Sequence, residues 1–313
     1  MIEGIHHVTA TAGDPNDNLN FYTQTLGLRL VKKTVNFDDP GAYHLYFGDT
    51  TGQPGTILTF FPWPQAHPGQ PGRGQVTAAA LAVPHNTVEH WVKRLREKNV
   101  NFWGPDERFG AFTLGLEDPD GLHVELIEQS GPTTTTPWTG RDIPLTQAAR
   151  GFHSVTLTVG DYEPTADLLT DVLDYHYVSQ EGDRHRLATP GEGPGSVIDI
   201  RNRPGEPAGR PGKGTVHHVA FRVPTAEAQK TVRQQLVSRG LSVTPIKDRK
   251  YFKSIYFHGP SGILYEIATS GPGFLIDEDQ DNLGSELQLP KDLENRRQEI
   301  ENRLPRLGRA TGE

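Results

Sequence analysis

Four stretches of the chain alternate apolar residues with others at the two-residue period of a half-buried β-strand. They are IHHVTATA from Ile5, VTAAALAV from Val76, FHSVTLTV from Phe152 and VHHVAFRV from Val216. Each runs through a loop into a stretch with apolar residues at helical spacing. In the first, Leu19, Tyr22 and Leu26 share a face and Gly27 supplies the stop. In the second, Val88, Trp91, Val92 and Leu95 form the stripe; the third is PTADLLTDVLDY, and the fourth is AEAQKTVRQQLVSRG, closed by Gly240. Three more strands are predicted after each helix, the last of them GTILTFFP, GLHVELIE, GSVIDIRN and GILYEIAT. A strand, a helix and three strands thus recur four times, as a βαβββ unit.

One such unit makes a small curled sheet with its helix outside, and two side by side make a cup. The expected class is therefore α+β, with four βαβββ units in two tandem domains of curled mixed sheets. The first two units are assigned to residues 1–132 and the second two to 150–271. The Thr-, Pro- and Gly-rich stretch GPTTTTPWTGRDIPL marks a linker over 133–149. Residues 272–313 read as a polar tail with an acidic loop and a charged helix in PKDLENRRQEIENRL.

Composition narrows the chemistry. The 313 residues carry a formal net charge of −8 with no run of Lys and Arg, so nucleic acid is not an expected partner. No leader pattern and no apolar run near the roughly 20 residues of a membrane span is visible, which points to the cytoplasm and away from membranes. There is no cysteine, which removes disulfides, thiolate nucleophiles and cysteine metal ligands together. Any metal must rest on histidine, carboxylate or other oxygen.

The repeats can be aligned on one another. When the first strands are anchored on Ala12, Val83, Val159 and Val223, His7, Ala78, Ser154 and His218 stand five positions earlier. When the last strands are anchored on Gly55, Gly121, Gly195 and Gly262, Thr59, Glu125, Asp199 and Glu266 stand four positions later. Units one and four thus offer two imidazoles, one carboxylate and Thr59. Units two and three offer Ala78, Ser154, Glu125 and Asp199, which is no good transition-metal site. His153 falls in the register of His217, not of His218. An isolated strand histidine is usually structural or solvated. His7 and His218 recur at one register and meet Glu266 at the matching position, so all three are assigned as metal ligands. Two histidines and a carboxylate on one face of an ion are the usual seat of non-heme Fe(II) in oxygen-activating enzymes. Mn(II), Zn(II) or Ni(II) also suits these donors. Glu125 and His123 share a strand face and read as the remnant of a duplicated site. His44, His67, His85 and His90 read as surface or packing residues.

With HHV on the first strands of units one and four and YEIA on the final strand, the chain resembles the vicinal oxygen chelate superfamily. That group includes glyoxalases, bleomycin-resistance proteins and extradiol dioxygenases. The string GLRLVKKTVNFDDPGAYHLYFGD…PGTILTFFPWP, with PGF at Phe274, resembles the branch of ring-cleaving hydroquinone dioxygenases. The resemblance implies two glyoxalase-like domains with iron between units one and four, on His7, His218 and Glu266. It also implies catalytic roles for Tyr256, Arg249 and His217, and substrate-contacting or supporting roles for His6 and Thr9. Strand alternation turns His6 and His217 away from the cup unless a bulge brings them back.

The expected reaction is extradiol-type cleavage of a hydroquinone-like or catechol-like aromatic diol with O₂. A hydroquinone cannot chelate through both hydroxyls, so Tyr256 and Arg249 would hold its far end. Two other readings stay open. One is a glyoxalase-like lyase or isomerase, against which stands Thr59 in place of a second carboxylate. The other is a metal-free aromatic-ligand binder, against which stands the complete triad. Subunit count is left open, a homo-oligomer included.

Overall fold

The computed structural model describes residues 2–308 except 141 and 192. Unit one comprises β1 (Ile5–Ala12), α1 (Pro15–Asn20), β2 (Arg29–Asn36), β3 (Asp39–Gly48) and β4 (Ile57–Pro62). Unit two comprises β5 (Gln75–Pro84), α2 (Val88–Glu97), β6 (Phe102–Arg108), β7 (Ala111–Glu117) and β8 (His123–Gln129). In unit three these are β9 (Phe152–Val159), α3 (Glu163–Asp171), β10 (His176–Glu181), β11 (Arg184–Ala188) and β12 (Val197–Asn202). Unit four has β13 (Thr215–Val223), α4 (Ala226–Ser238), β14 (Lys247–Asp248), β15 (Lys253–His258) and β16 (Leu264–Thr269). Every unit is strand, helix and three strands, as the periodicity predicts. The first helix departs in one respect. Asp14 caps α1 by accepting from the Asn16 and Asp17 amides, and the chain then widens into a π-turn over Phe21–Thr25.

The sixteen strands form two eight-stranded sheets, ordered β14-β15-β16-β13-β1-β4-β3-β2 and β10-β11-β12-β9-β5-β8-β7-β6. Each sheet takes one unit from either half of the chain: units one and four make one cup, units two and three the other. At each centre two first strands run antiparallel, β1 with β13 and β5 with β9, and each carries its own last strand parallel on its outer side. One core, from Ile5 and Phe47 to Leu81, Trp91, Leu157 and Phe257, runs under both sheets. The cups are latched where β1 and β9 begin. Ile5 N–H donates to the Gly195 carbonyl at 2.9 Å, and Phe152 N–H to the Gly55 carbonyl at 2.8 Å. Gly4 precedes this latch at φ +113°, and a Cβ there would lie 2.9 Å from the Gly195 oxygen, so both backbone angle and space require glycine.

The tail is more than a polar cover. Lys32, fully buried on β2, donates to Asp277 at 2.6 Å and also to Glu278, and Tyr251 donates to Asp277 at 3.0 Å. Phe274 packs on Tyr46 and Tyr251 at ring distances of 5.1 and 4.9 Å. A second apolar cluster, including Tyr46, Ala220, Phe252, Ala268 and Phe274, thereby fills the first cup beside the ligand positions. The charged helix shrinks to α5 (Arg297–Arg303), where Ile300 is buried. Residues 309–313 of the tail lie outside the described residues. No helix among the described residues is long and apolar enough to cross a membrane.

Candidate metal centre

The four units meet the last strand at one register. Thr9 pairs with Thr59, Ala80 with Glu125, Thr156 with Asp199 and Ala220 with Glu266. His7, Ala78, Ser154 and His218 each stand two residues before the first-named partner, on the same face. Because β1 and β13 are neighbours, His7, His218 and Glu266 converge in the first cup. Their Nε2, Nε2 and Oε2 atoms lie 3.3, 3.4 and 3.0 Å apart, and all three side chains are buried.

The donors fit a cation. Ligands about 2.1 Å from one ion at right angles are about 3 Å apart. Ser254 donates to Glu266 Oε1, whereas the buried Oε2 has no hydrogen-bond partner. A buried anionic oxygen facing two imidazole nitrogens is costly without a positive charge between them. Burial works to raise the Glu266 pKa, but His7 and His218 hold it well below the ordinary carboxylate value. Burial lowers the His218 pKa, so its imidazole is available in the neutral, ligating form.

The paired histidines follow from two β-bulges. On β1, Ile5 pairs with Phe221 and His7 with Ala220, which leaves His6 as the extra residue; on β13, Thr9 pairs with His218 and Ala10 with Val216, which leaves His217. Simple alternation would separate each pair. The bulges instead bring His6 Nδ1 to 2.9 Å from His7 Nδ1, and His217 Nδ1 to 2.8 Å from His218 Nδ1. For His7 and His218 to offer Nε2 lone pairs, each donates its Nδ1–H to the neighbouring ring. His6 lies buried behind His7 under Phe252, with a hydrogen bond to the Thr269 backbone; His217 is exposed and lines the cavity. Burial, with His7, lowers the His6 pKa well below its usual value; His217 reaches solvent at the cavity, yet the protein around the rest of its ring, with His218, lowers its pKa too.

A cavity of about 220 Å³ opens on the ligands, with Tyr46, Phe61, Trp63, Phe252, Tyr256 and Arg249 among its walls. Arg249 Nε donates to the Tyr256 hydroxyl at 3.0 Å, and its Nη2 to Asp38 at 3.0 Å. Burial and the Glu266 charge push the Tyr256 pKa upward, so the phenol keeps its hydrogen. Asp38, absent from the sequence reading, is held below its ordinary pKa by Arg249 and Lys247 against the raising effect of burial.

His44 corrects the sequence reading. It is no surface residue: it lines the cavity, with Nε2 2.7 Å from Thr59 Oγ1 and Nδ1 2.9 Å from the Tyr46 hydroxyl. Strand pairing held the signal. Tyr46 pairs with Thr59 as Tyr256 pairs with Glu266, and His44 stands two residues before Tyr46, as Ser254 does before Tyr256.

In the second cup arginines stand where a cation would. Arg108 grips Glu125 through two 2.9 Å contacts, and Arg186 grips Asp199 at 2.8 and 2.9 Å. The bulges persist at Thr77 and His153, and His153 Nδ1 meets Ser154 at 3.0 Å in place of a ligand histidine. His123 lies 3.4 Å from Glu117 rather than joining Glu125. Among the described residues the one carboxylate–histidine group with metal-binding spacing is His7, His218 and Glu266.

The sequence model of the Glyoxalase/Bleomycin resistance protein/Dioxygenase superfamily matches residues 4–126 and 151–267. MhqO of Bacillus subtilis, which bears the name of a ring-cleaving dioxygenase, is 45% identical over 301 residues, 96% of this chain and 95% of its own. The chlorohydroquinone/hydroquinone 1,2-dioxygenase of Sphingobium indicum is 36% identical over 309 residues, 96% of this chain and 95% of its own. A crystal structure from B. subtilis, described as a dioxygenase, superposes with a TM-score of 0.94 at 44% identity, covering 98% of each chain.

Proposed function

The chain belongs to the glyoxalase/bleomycin resistance protein/dioxygenase superfamily, and from that premise we propose that it is an Fe(II)-dependent enzyme cleaving the ring of a hydroquinone-like aromatic diol with O₂. The observation that carries this reading is the convergence of His7 Nε2, His218 Nε2 and Glu266 Oε2. A metal ion held by these three donors would keep positions for exogenous ligands. Held there, Fe(II) would supply the site at which diol and O₂ exchange electrons.

The chain's own residues do the rest. Phe61, Trp63 and Phe252 offer aromatic walls to a planar ring and exclude water. Arg249 is fixed by Asp38 and Tyr256, so its charge is in place for the negative charge of a bound phenolate. Tyr256 accepts from Arg249 and retains its own hydrogen, which makes it a hydrogen-bond donor to the oxygen across the ring. With Nδ1 accepting from His218, neutral His217 carries its hydrogen on Nε2 and offers that N–H to an oxygen bound at the cavity wall. At the place of a second carboxylate, Thr59 is engaged by His44, which favours the dioxygenase over a glyoxalase-like lyase.

The test is elemental analysis together with O₂ uptake. Iron at one ion per chain, and O₂ consumption with methylhydroquinone well above that with catechol, are expected. Zinc or nickel with turnover of the methylglyoxal–glutathione adduct would establish the lyase instead. Glu266→Gln should lose bound iron and turnover together.

A further inference from the structure

Between β14 and β15, Arg249 hangs on a strained turn. The Tyr251 N–H donates to the Arg249 carbonyl at 2.7 Å, which closes a three-residue γ-turn about Lys250 at φ +67°. Asn86, Asn99 and Asp174 also have positive φ, a conformation that short polar residues adopt readily. A lysine there is strained, and persists only where its surroundings hold it. The Arg249 N–H donates in turn to the Phe252 carbonyl at 2.9 Å, and Arg249 and Phe252 both line the cavity.

The C-terminal segment does the holding. Lys250 Nζ lies 2.5 Å from Asp277 Oδ2 and donates to the Leu289 carbonyl at 2.9 Å. The Tyr251 hydroxyl donates to the same Oδ2 at 3.0 Å, and the Tyr251 carbonyl accepts from the Gly273 N–H at 2.8 Å. The other oxygen of Asp277 meets buried Lys32 at 2.6 Å, so one carboxylate ties the turn to β2. A glycine would suit the backbone angle at 250, but only a side chain reaches these partners. Asp277 is 15% exposed, whereas Asp38, which meets the Arg249 guanidinium, is 64% exposed, and so open an ion pair contributes little. The firmer hold on Arg249 therefore comes from behind, through its own backbone.

We propose that Asp277, acting through Lys250 and Tyr251, holds this turn and so positions Arg249 to meet the oxygen of an aromatic diol in the cavity. What Arg249 meets rests on the diol reading of the site; the hold on Arg249 rests on the contacts alone. Asp277 is a positioning residue, since it does not itself line the cavity. Released from Asp277, the turn relaxes toward an ordinary backbone angle and the Arg249 guanidinium leaves the Tyr256 hydroxyl.

Two measurements on the full-length, metal-loaded protein test the proposal. The first is ¹⁵N NMR of the arginine side chains with diamagnetic zinc in the site. The Arg249 Nε–H, identified by its loss in Arg249→Lys, should exchange slowly with water while Tyr256 accepts it. In Asp277→Asn and in Lys250→Met its exchange should rise about tenfold, the scale of one hydrogen bond. Lys250→Arg, which keeps a cation on Asp277, should exchange as the wild type does. Wild-type exchange in both Asp277→Asn and Lys250→Met, or equal acceleration in Lys250→Met and Lys250→Arg, overturns the hold on Arg249. The second is anaerobic binding of methylhydroquinone by calorimetry, with metal content and melting temperature as controls. Asp277→Asn should weaken binding about tenfold at unchanged metal content. In an Arg249→Ala background it should have no further effect. Unchanged affinity in Asp277→Asn, or losses that add, overturns the positioning role. A wild-type protein that takes up metal yet binds no methylhydroquinone overturns the diol reading, while the exchange rates still decide the hold on Arg249.

Discussion

His7 and His218 are separated by 211 positions in sequence, and their Nε2 atoms lie 3.3 Å apart. Each is backed by the residue before it through an Nδ1–Nδ1 contact, His6 at 2.9 Å and His217 at 2.8 Å. These backing rings fix which nitrogen of each ligand faces the cup. His6→Ala and His217→Ala should each lower metal affinity by about 10–100-fold while leaving all three ligands in place. Competition with a chromophoric chelator measures this. Wild-type affinity in both variants would mean that the bulges serve the backbone alone.

Buried histidines make the metal-free protein acid-sensitive. Burial holds His6 and His44 well below the usual imidazole pKa, and His153 at about 4, whereas in the unfolded chain these groups titrate near about 6.5. Between those values the unfolded state binds more protons, so stability rises with pH across the window. The contribution is complete above about pH 6.5 and is lost as pH falls toward 4. Asp118, raised to about 6 by burial, works in the opposite sense as a single group. Melting temperatures of the metal-free chain should fall steadily from pH 7 to pH 4.5. A flat profile would contradict the neutral assignment.

Arg108 in the second cup is a structural substitute for a cation. Arg108→Ala strands a buried carboxylate at Glu125, and the expected loss is about 3 kcal/mol of unfolding free energy. Replacing both residues, as Arg108→Met with Glu125→Leu, should recover much of that. Metal content should stay at the wild-type level in either protein. Denaturant titration and elemental analysis decide, and a second bound ion in the single variant would show that the cup keeps metal-binding capacity.

Lys32 carries the tail. It is fully buried and meets Asp277, Glu278 and the Phe274 carbonyl. Lys32→Met leaves two carboxylates without that cation and should cost about 3 kcal/mol. The first visible effect should be local: proteolysis within residues 272–289 at protease levels that spare the wild type. If the tail stays protected in a destabilised variant, the ion cluster supports the sheet and not the tail.

The three candidate donors were legible because the chain carries four copies of its own register. His7, His218 and Glu266 could be placed by comparing them with Ala78, Ser154, Glu125 and Asp199, and the pairing of the last strands reproduces that alignment in every unit. What periodicity does not carry is which units share a sheet, since pairing unit one with unit four or with unit two leaves the same alternation along each strand. The bulges at His6 and His217 could be named only as the alternative to simple alternation, because an extra residue shows only against a partner strand. His44 and Tyr46 lie on a middle strand whose turns differ between units, so no common anchor reaches them. The link from Lys32 to Asp277 joins the second strand to the tail, and neither local sequence announces it.

The pairing of unit one with unit four sets a delay on synthesis. Chains leave the ribosome N-terminus first at about 5–20 residues per second, so His7 waits on the order of ten to fifty seconds for Glu266 to emerge. Until β13 is made, the edge of β1 that will meet it has no partner, whereas both strands at the centre of the other sheet are complete by Val159. An aborted translation product ending anywhere before β16 carries no complete ligand set and leaves apolar strands bare. The nascent chain thus exposes apolar strands through most of its elongation, and the three candidate donors can come together only in its last moments on the ribosome.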